Sequence, residues 1–293
     1  MKRGTDYMSK WRSPEAEARF RSMEDELWAE YARRPEAIDV ETRRGTTRAY
    51  RWGGTGDPIV FLHGIGGTSL LWASYAEELE GRDVWSIDIL GDAGRSVQRS
   101  PYTEPDDLGE ELDQALGALQ LQRSLLVGHS LGGWLSLDLL VRRPSRVASA
   151  LLLDPVGIGP LHMFGFMLWG VPVLLGAYAP ERVRQWMAKR FRMALLNDKR
   201  AIRLALYGQV NHPPRIPRLL PFTDDELRSI SSPVTVLVGE RTEPLDADEV
   251  ITRAKMLIPQ VNVALVPDAG HAFPVDHIDL VLSHIEHMTL SAP

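Results

Sequence analysis

The stretch that decides the fold is Val127-Gly128-His129-Ser130-Leu131-Gly132-Gly133. It matches Gly-x-Ser-x-Gly, in which a serine stands on a sharp turn between a buried strand and a helix. An apolar run leads into the turn and the helix-compatible residues 134–140 lead out of it. Gly128 and Gly132 stand where a Cβ would collide with the neighbouring strand and helix. The stretch therefore predicts a strand–turn–helix unit that lifts the Ser130 hydroxyl above the edge of a sheet.

A serine hydroxyl is a poor nucleophile and needs a general base beside it. The strand-like run Val261-Asn262-Val263-Ala264-Leu265-Val266 is followed by a short loop that ends in His271. A histidine on the loop after the last strand can reach the serine of such a turn. We therefore predict that His271 is the base.

The base in turn needs a carboxylate to orient it. The predicted strand 233–239 is followed by a loop that contains Glu243, and we expect this residue to be the acid. Asp246 and Glu240 on the same loop are alternatives, and so is Asp154 at the end of an earlier strand. For Asp154, capping of the next turn is the more ordinary interpretation. Spacing alone does not decide among the four carboxylates.

A third element should stabilise negative charge on the substrate oxygen. The buried-strand run 59–62 is followed directly by His63-Gly64-Ile65-Gly66-Gly67. A glycine-rich loop at this point lets backbone N–H groups approach a developing oxyanion without obstruction. We assign this role to the N–H groups of Ile65 and Leu131. A phosphate-binding loop is the less suitable interpretation, because no Gly-Lys-Ser/Thr follows.

Together these motifs resemble the α/β-hydrolase superfamily, and the resemblance extends over nearly the whole chain. Its segments are the loop at 63–67, the turn at 88–96, the serine turn at 128–132 and Ala-Gly-His at 269–271. The resemblance implies an α/β fold: a mostly parallel eight-stranded sheet with helices on both faces and a helical cap inserted between two core strands.

A finer resemblance is to bacterial carboxylesterases of the naproxen-esterase type. It rests on the strand that ends in Leu90-Gly91-Asp92 and on the segment 222–228. One departure concerns the acid, because Thr242 stands at the usual acid position of the superfamily and Glu243 follows one residue later. A serine at the turn argues against the relatives of this fold that place aspartate there.

Strands and helices alternate along most of the chain, as in a parallel sheet covered on both faces. We expect the hydrolase core to comprise residues 37–156 and 227–293. Residues 1–36 form a predicted N-terminal helical extension with one apolar stripe, and residues 157–226 form the predicted cap.

The first part of the cap is strongly apolar, since residues 156–179 contain no Asp, Glu, Lys or Arg. We interpret it as a lid over the site. A membrane-spanning helix would split the sheet across a bilayer, and peripheral contact with a membrane surface is an alternative that we do not favour. The predicted substrate-binding residues are Gly64, His129, Phe164, Met167, Trp169 and Trp186.

Composition narrows the function further. The 293 residues carry a net charge of −6, which gives no electrostatic basis for binding nucleic acid. There is no cysteine, which excludes disulfides and a cysteine-based metal site. No apolar segment follows the basic N-terminus, so we expect a cytoplasmic protein without a secretory signal. We expect no metal and no cofactor, and both a monomer and a homodimer remain open.

The predicted reaction is hydrolysis of a small-to-medium hydrophobic ester through an acyl-enzyme. The alternatives on the same three residues are a serine-dependent C–C bond hydrolase, an acyl transferase, and a tailoring enzyme of small-molecule metabolism.

Overall fold

The computed structural model describes residues 7–191 and 193–290, except for the side chains at 163, 164, 166, 168, 169, 194 and 290. Within these ranges the strands form one sheet. Their bounds are β1 Glu36–Thr42, β2 Gly45–Gly53, β3 Thr55–Leu62, β4 Arg82–Ile87, β5 Val97–Gln98, β6 Ser124–His129, β7 Val147–Leu153, β8 Val234–Gly239 and β9 Val261–Val266.

The sheet has the order β1-β2-β4-β3-β6-β7-β8-β9, and β5 pairs with β2. The strands from β4 to β9 along this order are parallel, whereas β1, β2 and β5 pair antiparallel. The prediction of a mostly parallel α/β-hydrolase sheet is confirmed. The strand that the sequence analysis missed is β5, whose two residues are too short to show a periodicity.

The helices are α1 Pro14–Trp28, α2 Ala73–Glu78, α3 Asp106–Ala118, α4 Leu131–Arg142, α5 Met163–Tyr178, α6 Glu181–Phe191, α7 Lys199–Asn211, α8 Asp224–Arg228, α9 Ala247–Leu257, α10 Phe273–Asp276 and α11 Ile278–Leu290. Short 3₁₀ turns occupy Ser69–Trp72, Pro144–Arg146 and Ala194–Asn197.

Two apolar layers form the core, one on each face of the sheet. Successive residues of a strand point to opposite faces, and β3 shows this clearly. Val60 and Leu62 pack with α3, α4 and α9, whereas Ile59 and Phe61 pack with α2 and α11. Burial on both faces explains why the central strands read as continuous apolar runs rather than as alternating patterns.

The segment predicted to be a cap, called the cap below, lies between β7 and β8 and has a small apolar core of its own. That core joins α5, α6 and α7 through Val173, Ala177, Met187, Leu196 and Ile202. Among the described helices, none has both the length and the apolar character that crossing a membrane requires.

The N-terminal helix α1 joins the cap to the core. Phe20 of α1 is 1% exposed and packs with Ala93 of the core and Leu204 of α7. A Cβ added to Gly208 of α7 would lie 2.9 Å from both the Phe20 ring and the Ala93 side chain, so the three segments are in close contact. Arg95 adds an ion pair across the same junction, with its Nε 2.6 Å from Oε2 of the buried Glu24.

We predict that Phe20→Ala lowers the free energy of unfolding by about 3–5 kcal/mol, because it leaves a cavity where α1, α7 and the core meet. Urea denaturation of the full chain measures the loss. Arg19→Ala, at an exposed position of the same helix, is the control and should change stability by less than about 0.5 kcal/mol. Equal losses in both variants would contradict a central packing role for Phe20.

Candidate active site

Ser130 occupies a strained corner between β6 and α4. Its backbone has φ 54° and ψ −108°, a region that L-residues rarely adopt. Hydrogen bonds hold it there: its N–H donates to the Leu153 carbonyl at 3.1 Å, and its carbonyl accepts from the N–H of Trp134 at 3.1 Å. The turn therefore projects the serine side chain out of the path of both the strand and the helix.

The glycines around Ser130 are required by close backbone contacts. A Cβ at Gly128 would lie 2.3 Å from the Gly132 carbonyl oxygen, and a Cβ at Gly132 would lie 2.2 Å from the Leu62 carbonyl oxygen. Neither neighbour is a flexible side chain that could move away. The helix and strand can pack this tightly only because both positions lack a side chain.

The predicted base, His271, is within hydrogen-bond distance of Ser130. His271 Nε2 is 3.0 Å from Ser130 Oγ, and His271 Nδ1 is 2.5 Å from Asp154 Oδ2. All three side chains are buried, none more than 5% exposed. An ionised carboxylate only accepts hydrogen bonds, so Nδ1 carries the proton and Nε2 is left to accept one from the serine hydroxyl.

The carboxylate on the imidazole is that of Asp154, and the prediction of Glu243 for this position is wrong. Glu243 Oε2 instead accepts the backbone N–H of His271 at 3.1 Å. The reason is sheet order: β7 lies directly beside β6, so the residue that follows β7 lies next to the serine turn. Strand adjacency of this kind is not visible in a single sequence.

The two remaining candidates have other roles. Asp246 caps α9, where its side chain accepts the N–H of Glu249 at 3.0 Å. Glu240 accepts the N–H of Asp268 at 2.7 Å and so ties together two loops.

Asp154 is itself held by β8 and the loop that follows. Its Oδ1 accepts the N–H of Gly239 at 2.9 Å, and its Oδ2 accepts the Thr242 hydroxyl. Thr242 stands where relatives of this fold usually have the acid. The signal that could have identified Asp154 is therefore a polar, uncharged residue at that position, combined with a strand-end aspartate one strand earlier.

The loop that carries His271 crosses the end of β8 to reach the serine. The loop and the strand are in close contact there, since a Cβ at Gly239 would lie 2.6 Å from the Ala269 carbonyl oxygen. The N–H of Arg241 donates to the same oxygen at 2.9 Å. A glycine at the end of β8 thus permits a histidine that follows β9 to reach back to β6.

Both backbone polar groups of His271 are occupied. Glu243 accepts its N–H, and the ring of His129 donates from Nε2 to its carbonyl at 2.9 Å. Burial lowers the pKa of His129 to about 3, and the neighbouring His271 acts in the same direction. His129 is therefore neutral and holds the His271 loop, a role that sequence reasoning did not assign to it.

The glycine-rich loop after β3 borders the serine. A Cβ at Gly64 would lie 3.1 Å from Ser130 Cβ and 3.0 Å from His129 Nδ1. Within the described chain, the N–H groups of Ile65 and Leu131 donate to no protein acceptor. For Leu131 this follows from its place in the first turn of α4, where N–H groups have no partner within the helix.

Two buried side chains hold this loop in shape. His63 donates from Nδ1 to the Gly64 carbonyl at 2.9 Å and accepts the N–H of Ile89 on Nε2 at 3.0 Å. Asp92 accepts the N–H of Gly66 at 2.7 Å and that of Ala93 at 2.8 Å. Burial raises the pKa of Asp92 to about 6, although His63 and the two N–H groups favour its charged form.

The predicted substrate-binding residues fall into three groups. Gly64 and His129 lie beside Ser130. Met167 and Trp186 are 66% and 60% exposed on α5 and α6, so they face solvent instead of lining an enclosed pocket. The side chains of Phe164 and Trp169 lie outside those that the structure describes.

One cap residue that the sequence analysis missed lies at the glycine-rich loop. A Cβ at Gly66 would lie 2.3 Å from Nε2 of Gln209, on α7. At this point the cap contacts the glycine-rich loop that borders Ser130. In the described ranges, no cluster of three or more His, Asp or Glu side chains is arranged to hold a metal ion.

A buried serine on a strained corner, bonded to a histidine that is bonded to a carboxylate, is the arrangement of serine hydrolases built on a parallel sheet. Comparison with known families agrees with this class. The chain belongs to the alpha/beta hydrolase family, whose model matches residues 59–283.

Among similar proteins are two of Bacillus subtilis (strain 168). One bears the name uncharacterized carboxylesterase nap and is 26% identical over 252 residues, 81% of this chain and 81% of that protein. The other is carboxylesterase YbfK, 26% identical over 261 residues, 84% of this chain and 85% of that protein.

The crystal structure of naproxen esterase (carboxylesterase NP) from Bacillus subtilis superposes with a TM-score of 0.78. The match covers 94% of this chain and 99% of that one, at 22% identity. At this identity the structural likeness establishes the fold. The resemblance to carboxylesterases of the naproxen-esterase type, which was drawn from motifs, is confirmed.

We predict that Asp92→Asn flattens part of the pH dependence of stability. The folded-state pKa of Asp92 lies near 6, above the ordinary value of 3.8, so folding takes up a proton between these values. The stability from this group is fully present below about pH 4 and is lost as the pH rises through about 6, a change of roughly 2–3 kcal/mol. Urea denaturation of both proteins from pH 4 to 7 measures the difference.

The exposed Asp57 provides the control for that experiment. Asp57→Asn should give a profile parallel to the wild-type profile throughout. If the Asp92→Asn profile were also parallel, with only a constant offset from the lost hydrogen bond, the raised pKa of Asp92 would be refuted.

Proposed function

We propose that this protein is a carboxylesterase that works through an acyl-enzyme, with Ser130 as nucleophile, His271 as general base and Asp154 as the acid that orients it. The observation that carries the proposal is the continuous hydrogen-bonded chain from Ser130 Oγ through the imidazole to the Asp154 carboxylate. The names of the two bacterial relatives support the same reaction.

In the first half-reaction, Ser130 Oγ attacks the carbonyl carbon of the ester while its proton passes to His271 Nε2. Asp154 keeps the Nδ1 proton in place and stabilises the imidazolium that forms. The tetrahedral intermediate then collapses, the bond to the alcohol oxygen breaks, and His271 gives its proton to the leaving alcohol.

In the second half-reaction, His271 takes a proton from water, and the resulting hydroxide attacks the acyl carbon. Collapse of this second intermediate returns the proton to Ser130 and releases the carboxylic acid. In both halves the N–H groups of Ile65 and Leu131 receive the oxyanion. A single donor of this kind contributes about 2.7–4 kcal/mol to lowering the barrier.

The proposed substrate is a small-to-medium hydrophobic ester. Support comes from the composition of the cap and from its position. The N–H of His162, just before α5, donates to the Pro244 carbonyl at 2.7 Å, and Gly165 packs on the Glu243 backbone. The apolar cap helix thus begins beside the loop that contains Glu243, which binds the backbone N–H of His271.

The test is hydrolysis of p-nitrophenyl esters of increasing acyl length by the wild type and by Ser130→Ala. We expect a burst of nitrophenol followed by slower turnover in the wild type, and loss of both in the variant, because an acyl-enzyme must form before it is hydrolysed. The acyl chain length with the highest kcat/KM indicates the size of the acyl-binding pocket. Turnover of these esters that survives Ser130→Ala would exclude the proposed mechanism.

The choice of Asp154 over Glu243 predicts a difference between two variants. Asp154→Asn should lower kcat by about 10³–10⁴-fold, because the amide no longer fixes the Nδ1–H tautomer. Glu243→Gln should lower it by less than about tenfold, because the amide oxygen still accepts the His271 N–H. Steady-state kinetics measures both, with urea denaturation to check folding. A larger loss in Glu243→Gln would return the acid role to Glu243.

A further inference from the structure

Helix α5 presents an unbroken apolar stripe to solvent. Its exposed large side chains are Met167, Val171, Leu174, Leu175 and Tyr178, each between 49% and 76% exposed. At 100° per residue these five positions occupy a sector about 100° wide. The buried positions Val173, Gly176 and Ala177 lie on the other side, against the cap core. The stripe is therefore the outer face of the cap.

Helix α6 adds an aromatic side chain with cationic neighbours. Trp186 is 60% exposed, and Arg182 and Arg190 stand four residues before and after it on the same face of the helix. Neither arginine forms an ion pair with any residue in the described ranges. The inner face of α6 holds Met187 and Ala188, which pack against α5.

The sign of charge at the cap is opposite to that of the whole chain. The chain has a net charge of −6, yet residues 180–203 contain eight Lys or Arg and two Asp or Glu. The preceding residues 156–179 contain no charged side chain except a titratable histidine. An apolar stripe beside a cationic segment matches the chemistry of an anionic lipid surface, where acyl chains lie beneath negative headgroups.

Although the sequence did not favour contact with a membrane surface, we propose that the outer face of the cap, formed by the α5 stripe and the Arg182–Trp186–Arg190 face of α6, docks on anionic membrane surfaces. With 16 residues, α5 is shorter than the roughly 20 that span a bilayer. It therefore lies in the plane of the interface with the stripe among the acyl chains. The indole of Trp186 takes the headgroup level, and the two arginines pair with lipid phosphates.

Docking would bring apolar esters dissolved in the membrane close to the site. The reason is that the N-terminal end of α5 packs on the loop that contains Glu243, beside His271. The binding itself is independent of the reaction, and it is measured here without any hydrolysis. A loss of esterase activity would therefore leave this proposal standing, and a failure to bind lipid would leave the proposed reaction standing.

The test is co-sedimentation of the full chain with vesicles of phosphatidylcholine alone and of equimolar phosphatidylcholine and phosphatidylglycerol. We expect binding to the anionic vesicles at low salt, at least about tenfold weaker binding to the neutral ones, and weakening as salt screens the arginines. Two variants should each reduce anionic binding by about tenfold or more. One is Leu174→Glu with Tyr178→Glu, and the other is Arg182→Glu with Arg190→Glu.

The matched control is Lys255→Glu with Met256→Glu, which changes an exposed cation and an exposed apolar side chain on core helix α9. It should bind vesicles nearly as well as the wild type. All three variants should unfold in urea in one cooperative transition near the wild-type midpoint, which shows that they fold.

Three results would overturn the proposal. The wild type could fail to bind anionic vesicles at low salt, or the two cap variants could bind as well as the control. Analytical ultracentrifugation could also show a dimer that Leu174→Glu with Tyr178→Glu converts to a monomer, in a protein that does not bind vesicles. In that last case the occupant of the stripe is a second copy of this chain.

Discussion

One hydrogen bond joins the two halves of the site: the Ser130 N–H donates to the carbonyl of Leu153. It fixes the strained serine corner to the end of β7, and the next residue after Leu153 is Asp154. The backbone itself therefore holds Ser130 and Asp154 close together. His271 needs only to fill the space between them, which it does with contacts of 3.0 and 2.5 Å.

The rest of the site holds Ser130 in its strained conformation and fixes the position of His271. Gly128 and Gly132 allow the helix and strand to approach within backbone contact, and the α4 and β3 packing that results keeps the serine from relaxing. The His271 loop follows β9, which β7 and β8 separate from β6, so it needs anchors of its own. Glu243 and His129 provide them by binding its N–H and its carbonyl.

The cap is connected to this site on two sides. α5 begins on the loop that contains Glu243, while α7 places Gln209 against Gly66 of the glycine-rich loop. The helix α1 then fastens α7 to the core through Phe20, and the Glu24–Arg95 ion pair reinforces the junction. A segment that looks like an extension in the sequence is thus part of what positions the cap, because its apolar stripe packs on the body of the same chain.

Residues that are neighbours in the sequence determined the fold class and two of the three site residues. The Gly-x-Ser-x-Gly stretch, the apolar runs around it and the loop that ends in His271 predicted a parallel α/β sheet that brings a serine and a histidine together, because each depends on residues that are neighbours in sequence. Only the tertiary structure decided which carboxylate meets the imidazole. Asp154 is separated from His271 by 117 positions, and the order of β6, β7 and β8 in the sheet places it there. The tertiary structure likewise decided which apolar side chains of the cap are exposed. Composition shows that α5 is apolar, but the packing of Val173 and Ala177 in the cap core leaves the opposite face of the helix in solvent.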